Sequence, residues 1–456
     1  MKHLLALLLV VTTLAGRAQE VASVESWHGA LDLGMGKLNI SFAIKSMSDG
    51  SQVCTMDVPD QGVKDFPVVL SRNDDHNLSI SIASLNAWYE GRKLSSTSIE
   101  GTFTQNGIAL PLNLKQESIE IRRAQTPMPP FAYHSEEVVF RNEAEGALLS
   151  GTLTYPVNYD KLRKEDVPVV IMVTGSGGQD RDETIFAHKP FFVLADYLAC
   201  RGIASLRYDD RGVAKSTGPT EGTTTMNNLA DAEAGVEYLR GLDKFGKVGV
   251  LGHSEGGTIA FMMGAKGSVD FLISLAGAAA SGIDGIVGQN MAMMQQQGIP
   301  QIWVDGYAEA LRIIYKDRVS GKAVSDAKAY VDEVCAANGL SLPEPYRENL
   351  AQCYTAGGEW FTWFLGYEPK EAISRIECPL MALNGNLDLQ VLSDDNLPII
   401  RAYLPYNDKS LIKEYDGLNH LFQHCTPATS LSYGTIEETL AVEVLDDIVN
   451  WIIGIK

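Results

Sequence analysis

One pentapeptide of the chain has the residue types and spacing of a turn that presents a nucleophilic serine. Gly252-His253-Ser254-Glu255-Gly256 is the only Gly-x-Ser-x-Gly sequence present, and it directly follows an apolar run at residues 247–251. A strained turn between a strand and a helix can hold a serine hydroxyl above a sheet edge, and its glycines let the two backbones approach closely. We therefore predict that Ser254 is a nucleophile; the alternative is a glycine-rich turn with a passive serine.

A serine hydroxyl is a weak nucleophile at neutral pH, so it needs a histidine base that a carboxylate orients. In an α/β arrangement both partners follow the serine in the chain. We predict His420 as the base, because it follows the last predicted strand, and His424 as a surface residue. The predicted acid is Asp388, which leaves the end of the preceding strand. Its rivals, Asp394 and Asp395, would instead begin a helix, where negative charge is favourable.

The oxyanion that forms when a carbonyl group is attacked needs two N–H donors. We predict that the backbone amide of Glu255 supplies one, since it directly follows the nucleophile at a helix N-terminus. The loop Thr174-Gly175-Ser176-Gly177-Gly178 would supply the other, through Ser176 or, as second choice, Gly177. A dinucleotide site is the alternative for this loop. It is disfavoured because Gly-x-Gly-x-x-Gly is not matched and the acidic residues that follow would repel a phosphate.

The predicted chemistry requires no cofactor and no metal ion. None of the eight histidines has the His-Glu-x-x-His spacing of a helical zinc site. His420 and His424 are four residues apart, which we interpret as coincidence.

The elements that must position these residues follow from the hydrophobic pattern. From residue 136 to residue 456, uninterrupted apolar strands alternate with helical stretches, which predicts a doubly wound, mostly parallel sheet. A long helical excursion between the fifth and sixth strands predicts a cap at about residues 278–375. Within the cap, the aromatic run at residues 359–367 could wall an acyl pocket beside Ser254 or form the seam between cap and core.

The amino-terminal part of the chain has a different pattern. Apolar and polar residues alternate between residues 27 and 114, which predicts a small all-β domain, a barrel or a sandwich, at residues 19–125. A proline-rich linker would occupy residues 126–135. Residues 1–18 read as a secretory signal peptide that is cleaved after Ala18. We therefore expect a periplasmic or secreted bacterial protein.

Composition and cysteine content narrow the possible partners. The chain has 57 acidic and 37 basic side chains, so its formal charge of −20 disfavours nucleic acid and anionic lipid. No stretch after the signal peptide is long enough to span a membrane. Among six cysteines, Cys335 and Cys353 could form a disulfide between two helices; the alternative is that all six are unpaired apolar side chains.

Four motifs in this order resemble α/β-hydrolases of the serine-aminopeptidase-like and EstD-type carboxylesterase group. They are Thr174-Gly175-Ser176-Gly177-Gly178-Gln179-Asp180-Arg181-Asp182, Gly252-His253-Ser254-Glu255-Gly256-Gly257, Asn384-Gly385-Asn386-Leu387-Asp388-Leu389-Gln390-Val391 and Asn419-His420-Leu421-Phe422-Gln423. The resemblance implies that the nucleophile, acid and base are Ser254, Asp388 and His420. Two residues depart from the group: Thr174, where relatives usually have histidine, and Ala214, where they usually have glycine.

The amino-terminal part is also similar to the β-rich module that often precedes such enzymes in exported bacterial proteins. The similarity lies in Met56-Asp57-Val58-Pro59-Asp60-Gln61-Gly62 and Ile99-Glu100-Gly101-Thr102-Phe103.

Together these features predict a secreted serine hydrolase, a carboxylesterase that cleaves small-molecule esters of short to medium acyl chains through an acyl-enzyme. One alternative is a serine peptidase or aminopeptidase-like enzyme on the same fold, because a triad does not distinguish esters from amides. The other is a glycan-binding protein whose hydrolase domain is vestigial, with the β-rich domain contacting a glycan or a protein.

Overall fold

The computed structural model describes residues 21–32, 37–47, 52–61, 63–74, 76–116 and 123–455. The predicted signal peptide at residues 1–18 lies outside these residues. The chain divides into two compact units. The first contains the described residues up to Arg123 together with Ile185–His188 and Tyr433–Glu437, and the second contains Ala124–Thr184, Lys189–Ser432 and Glu438–Lys456.

The first unit is an antiparallel β-barrel. Its strands are β1 (Val21–Asp32), β2 (Lys37–Met47), β3 (Gln52–Val58), β4 (Val63–Asn73), β5 (Asn77–Ile82), β6 (Ala87–Ser95), β7 (Ser98–Gln105), β8 (Ile108–Pro111) and β9 (Leu114–Lys115). They pair in the order β6-β5-β4-β3-β2-β1-β9-β7-β8, and β6 also pairs with β7, which closes a ring of eight strands. The prediction of a small all-β domain is confirmed, in its barrel form.

Alternating side chains fill the interior of this barrel. In β2, for example, Ile40, Phe42 and Ile44 are buried, and they pack in one cluster with Trp27 and Tyr89. This alternation is the period-two pattern of the sequence, because successive side chains of a strand point to opposite faces. The barrel therefore has a packed core.

The second unit contains a mostly parallel sheet. Its strands are β10 (Ser135–Asn142), β11 (Ala147–Thr154), β12 (Val169–Val173), β13 (Ala204–Tyr208), β14 (Val248–His253), β15 (Phe271–Leu275), β16 (Leu380–Gly385) and β17 (Leu411–Tyr415). The spatial order is β10-β11-β13-β12-β14-β15-β16-β17. β10 and β11 are antiparallel and the six strands from β12 to β17 run parallel. The predicted doubly wound sheet is confirmed.

Helices cover both faces of this sheet and extend between β15 and β16. They are α1 (Pro190–Ala199), α2 (Thr225–Gly241), α3 (Glu255–Lys266), α4 (Gly282–Gln296), α5 (Gln301–Val319), α6 (Ala327–Ala337), α7 (Glu344–Thr355), α8 (Gly358–Leu365), α9 (Pro369–Ile373), α10 (Ser393–Tyr403) and α11 (Val442–Gly454). One apolar cluster joins the sheet to α2 and α3, and another joins it to α1 and α11. The helices between β15 and β16 have an apolar cluster of their own.

The topology decides where loops can meet. The carboxyl ends of parallel strands lie at one edge of a sheet, so the loops that follow β12, β13, β14, β16 and β17 emerge there together. The loops after β12, β14, β16 and β17 carry the predicted site residues. Asp394 and Asp395 lie in the first turn of α10, as expected of residues that begin a helix.

The six cysteines all lie in the described residues and are unpaired. Cys335 and Cys353 are buried on α6 and α7 but form no bridge, and the sulfur of Cys353 lies 3.7 Å from the hydroxyl of Tyr307. The disulfide alternative is therefore wrong, and these two thiols act as small core side chains. Among the described helices, none has both the length and the apolar character needed to cross a membrane.

Candidate active site

The turn between β14 and α3 holds Ser254 in a strained backbone conformation. Its φ is 53° and its ψ is −116°, a backbone conformation that residues other than glycine rarely adopt. Such strain persists only where the surroundings fix it, and it clusters at functional sites. The Ser254 side chain does not cap α3, so its hydroxyl is not used by the helix. The Ser254 amide donates to the carbonyl of Leu275 at 2.9 Å, which ties the turn to β15.

The glycines on either side of Ser254 are required by close backbone packing. A Cβ atom on Gly252 would lie 1.9 Å from the carbonyl oxygen of Gly256. A Cβ atom on Gly256 would lie 2.1 Å from the carbonyl oxygen of Val173. Both distances are shorter than any van der Waals contact, so α3 can approach β12 and β14 this closely only with glycine at these positions.

The predicted base and acid are in contact. His420, in the loop after β17, has its Nδ1 atom 2.8 Å from Oδ2 of Asp388, in the loop after β16. Both side chains are buried. The other carboxylate oxygen of Asp388 accepts the backbone amides of Gln390 and Val391 at 2.8 and 2.9 Å. A carboxylate fixed in this way keeps the proton on Nδ1 of the imidazole, which leaves Nε2 as the proton acceptor.

Two contacts link His420 to His253, the residue that precedes Ser254. The residue before the serine, His253, has its Nε2 atom 3.0 Å from the carbonyl oxygen of His420. The two imidazole rings have centroids 4.8 Å apart. Ser254 is thus one residue along the chain from a side chain that contacts His420. His424, by contrast, is exposed and contacts Glu438 and Glu443, which confirms its prediction as a surface residue.

One predicted oxyanion donor, Glu255, directly follows the serine in the chain, and the other, Ser176, directly follows a glycine that lies beside the serine. Glu255 is the first residue of α3, so its backbone N–H is among those with no partner inside the helix. Gly175 lies next to Ser254, since a Cβ atom built on it would be 3.2 Å from the Cβ of Ser254. The amide of Gly175 already donates to Oε1 of Glu183 at 2.9 Å. Ser176 and Gly177 follow it and are exposed.

Ion pairing fixes the loop that carries Ser176. The guanidinium group of Arg181 donates to both carboxylate oxygens of the buried Asp209, at 3.0 and 2.8 Å. Asp180 accepts the amides of Asp182 and Thr184 at 3.0 Å, which closes the turn. The acidic residues after the glycines, interpreted from the sequence only as a barrier to phosphate, therefore have structural partners.

The sequence patterns did not indicate a group of buried polar side chains behind the serine turn. Thr174, which stands where relatives usually have histidine, donates from its hydroxyl to both oxygens of Asp210 at 2.9 Å. Gln179 donates its amide to the same carboxyl at 2.8 Å. Burial raises the pKa of Asp210 to about 8, with smaller contributions from Glu255 and Glu183. The position of this acid after β13, at the same sheet edge, is the one signal that could have indicated it.

The side chain of Glu255 links the turn to the cap. Its Oε1 atom accepts the hydroxyl of Thr225 at 2.5 Å and the indole N–H of Trp360 at 2.9 Å. Its Oε2 atom is buried and has no hydrogen-bond partner within the described part of the chain. Burial raises the pKa of this carboxyl. From the sequence, only the backbone amide of Glu255 was predicted to have a role. The partners of its side chain lie in other helices, so no local sequence pattern could indicate them.

The aromatic run at residues 359–367 makes contacts with Glu255 and with the core of the sheet. Trp360 lies on α8, contacts Glu255 and stacks on Phe364 with ring centroids 5.7 Å apart. Trp363 and Tyr367 pack against the apolar cluster of the sheet, which makes them part of the seam. Trp360 and Phe364 are half-buried. Within the described ranges, no three His, Cys, Asp or Glu side chains converge in a way that could hold a metal ion.

Comparison with known proteins gives one family match. The family described as X-Pro dipeptidyl-peptidase (S15 family) matches residues 145–403, which include Ser254 and Asp388. His420 lies beyond the matched region. The match covers more than half of the chain and falls on the second unit.

The chain is also similar to individual proteins. It is 25% identical over 290 residues to Esterase EstD of Thermotoga maritima, a match that covers 63% of this chain and 62% of the relative. Among solved structures, Est1E from Butyrivibrio proteoclasticus is 16% identical with a TM-score of 0.39, covering 69% of this chain and 98% of that one. Proline iminopeptidase of Mycobacterium smegmatis is 12% identical with a TM-score of 0.42, covering 70% and 98%.

Substitution of Gly256 tests the packing of the serine turn. In Gly256→Ala, the new Cβ must push α3 away from Val173, which displaces both Ser254 and the Glu255 amide. A misplacement of about 1 Å costs about 100-fold in rate, and overpacking costs about 1–3 kcal/mol in unfolding free energy. Ester turnover and urea denaturation measure the two effects.

Gly285→Ala is the matched control for this substitution. Gly285 lies inside α4, and a Cβ atom there would meet no heavy atom within 4 Å. We expect it to leave turnover unchanged and to raise the unfolding free energy by up to about 1 kcal/mol. Equal stability and activity for Gly256→Ala and the wild type would contradict the assigned packing.

Proposed function

Since the chain belongs to the X-Pro dipeptidyl-peptidase (S15) family, we propose that it is a serine hydrolase that cleaves carboxylic esters of short to medium acyl chains. The proposed nucleophile, base and acid are Ser254, His420 and Asp388. The observation that supports this most directly is the 2.8 Å contact between His420 and Asp388 at the sheet edge where a strained turn carries Ser254.

In the proposed reaction, Ser254 Oγ attacks the ester carbonyl carbon while His420 Nε2 accepts the hydroxyl proton. The backbone amides of Glu255 and Ser176 stabilise the negative oxygen of the tetrahedral intermediate. His420 then gives the proton to the leaving alcohol, and an acyl-serine remains. Water, activated by the same imidazole, attacks the acyl-serine and releases the acid, which regenerates the free hydroxyl. Asp388 keeps the imidazole oriented and stabilises its positive charge throughout.

Three observations bear on the substrate. The relative with which the chain shares 25% identity is named an esterase, which favours esters. The half-buried rings of Trp360 and Phe364 beside Glu255 offer an apolar surface on which a short acyl chain could lie. The family description favours the second candidate, a peptidase, which the same three side chains could serve. A binding protein with a vestigial hydrolase domain would have no need of the buried His420–Asp388 contact.

Covalent labelling tests the proposed nucleophile. We expect a fluorophosphonate to label the folded wild-type protein and not Ser254→Ala. Loss of Ser254 or His420 should lower kcat for an ester by about four to six orders of magnitude, and Asp388→Asn by about four, because the imidazole then takes the wrong tautomer. Circular dichroism confirms that each variant is folded. Equal labelling of wild type and Ser254→Ala would rule the serine out.

A substrate panel separates the two candidate activities. We expect kcat/KM for p-nitrophenyl esters of short and medium acyl chains to exceed that for aminoacyl and X-Pro p-nitroanilides by at least about tenfold, or about 1.4 kcal/mol in transition-state free energy. The same Ser254→Ala variant supplies the background rate. Faster turnover of the anilides would identify the protein as a peptidase.

We also propose that the protein is exported, on the strength of the signal-peptide pattern at residues 1–18. Expression in a Gram-negative host should give a periplasmic protein whose mass and first residue correspond to a chain that begins at Gln19. A cytoplasmic product that keeps residues 1–18 would contradict this.

A further inference from the structure

The histidine that precedes the proposed nucleophile is buried and has an acceptor at each ring nitrogen. Its Nε2 atom lies 3.0 Å from the carbonyl oxygen of His420, and its Nδ1 atom lies 2.9 Å from Oε1 of Glu183. The same carboxyl oxygen accepts the amide of Gly175 at 2.9 Å. His253 therefore lies between the loop that follows β12 and the loop that follows β17.

These contacts restrict the positions of the protons. A carbonyl oxygen can only accept, so Nε2 of His253 carries a hydrogen. Oε1 of Glu183 already accepts the Gly175 amide, and as an ionised carboxylate oxygen it can also accept an N–H from Nδ1 in a charge-assisted bond. The charge and hydrogen bond of Glu183 favour the protonated ring. In that arrangement the ring is an imidazolium ion paired with the Glu183 carboxylate.

We propose that this buried His253–Glu183 ion pair is a positioning device for the active site, one that orients both the oxyanion loop and the catalytic histidine and is lost when the pair gives up its proton. Glu183 fixes Gly175, which is next to Ser254 and directly precedes Ser176. His253 fixes the backbone of His420. The inference rests on the proposed function, since the loops matter only if they carry the oxyanion donor and the base.

Backbone strain at Glu183 supports a positioning role. Its φ is 53°, in the left-handed region that a residue with a long side chain seldom adopts. This conformation persists where surrounding contacts hold it in place, and at Glu183 the carboxylate contacts are of that kind. Neither His253 nor Glu183 touches the reacting atoms in the proposed mechanism, so both act through Gly175 and His420.

The direction of the pH dependence follows from the groups around the ring. Burial lowers the pKa of His253, but the charge and hydrogen bond of Glu183, the bond to His420 and the charge of Asp388 outweigh it, so the pKa lies above its ordinary value of 6.5. The stabilisation is thus fully present below pH 6.5 and is lost as pH rises through the higher pKa of the folded protein. Above that pKa, the lone pair of Nδ1 would face the negative Glu183 oxygen.

One neighbour of the pair also titrates above neutral pH, so its effect on the pH profile must be separated from that of the pair. Asp210 faces Glu183 from the turn after β13, and burial raises its pKa to about 8. Ionisation of Asp210 at high pH would add a negative charge behind the same loop. A variant without this titration is therefore the matched control for variants of the pair.

The test is the pH profile of ester kcat/KM for wild type, Glu183→Gln and Asp210→Asn. We expect the wild type to lose activity on the alkaline side. In Glu183→Gln the loss should move to lower pH by about one to two units, because the imidazolium no longer faces a charge. In Asp210→Asn the alkaline loss should remain where the wild type has it. The proposal would be overturned if the alkaline loss of kcat/KM stayed at the wild-type pH in Glu183→Gln, or if it disappeared in Asp210→Asn.

A second measurement needs no turnover, so it stands even if the esterase proposal fails. Ring nitrogens of 15N-histidine in Ser254→Ala protein report each imidazole by NMR, and His253→Gln identifies the signal. We expect His253 to be an imidazolium at pH 7 and to lose its proton at higher pH. A neutral ring at pH 7 would overturn the assignment. His253→Gln itself should lower kcat by roughly tenfold to 100-fold and remove the loss of activity at alkaline pH. Wild-type turnover in a folded His253→Gln variant would overturn the positioning role.

Discussion

The active-site region depends on a single backbone constraint, the left-handed conformation of Ser254 between β14 and α3. A serine in this region costs of order 1–3 kcal/mol, which the surrounding packing has to offset. The offset comes from glycines that allow α3 to lie against β12 and β14, and from the Ser254 amide bond to Leu275. Because the helix is held this closely, the amide of Glu255 and the serine hydroxyl have a fixed relation to each other. A looser turn would leave both groups free to move.

The parallel sheet turns distant parts of the sequence into one site. Asp388 and His420 are 32 residues apart, and both follow Ser254 by more than 100 residues, yet they leave neighbouring strands at one edge. Their contact needs no long loop, since β16 and β17 are paired directly. The oxyanion loop joins them because β12 lies beside β14. Fold and site are therefore consequences of the same strand order.

The sequence predicted those features that have a local pattern. The parallel sheet, the small all-β domain, the serine turn, the exposure of His424 and the helix start at Asp394 all follow from spacing, periodicity or charge near one element. The partners of His253 and Glu183 could not be predicted in this way, because they lie on separate loops and meet only after the sheet has formed. The Cys335–Cys353 bridge failed for a related reason: spacing brings α6 and α7 together but does not set the direction of each thiol.

The buried carboxyl groups at this edge show how one small region accommodates several acids. Leaving an isolated carboxylate away from water is costly, so each group must be paired, hydrogen-bonded or protonated. Glu183 is paired with His253, whereas Asp210 meets the cost through a raised pKa and the bonds of Thr174 and Gln179. Glu255 has a raised pKa too and shares one oxygen between Thr225 and the cap residue Trp360.

These solutions have different consequences. Of these three carboxyl groups, only Glu183 has a basic side chain as its partner, so in the proposed ion pair it would join two loops by charge-assisted bonds. The bond between Trp360 and Glu255 joins the cap to the residue that directly follows Ser254, so a movement of α8 would displace the proposed oxyanion donor. Buried polar contacts of the second unit thus connect the serine turn both to the neighbouring loops and to the cap.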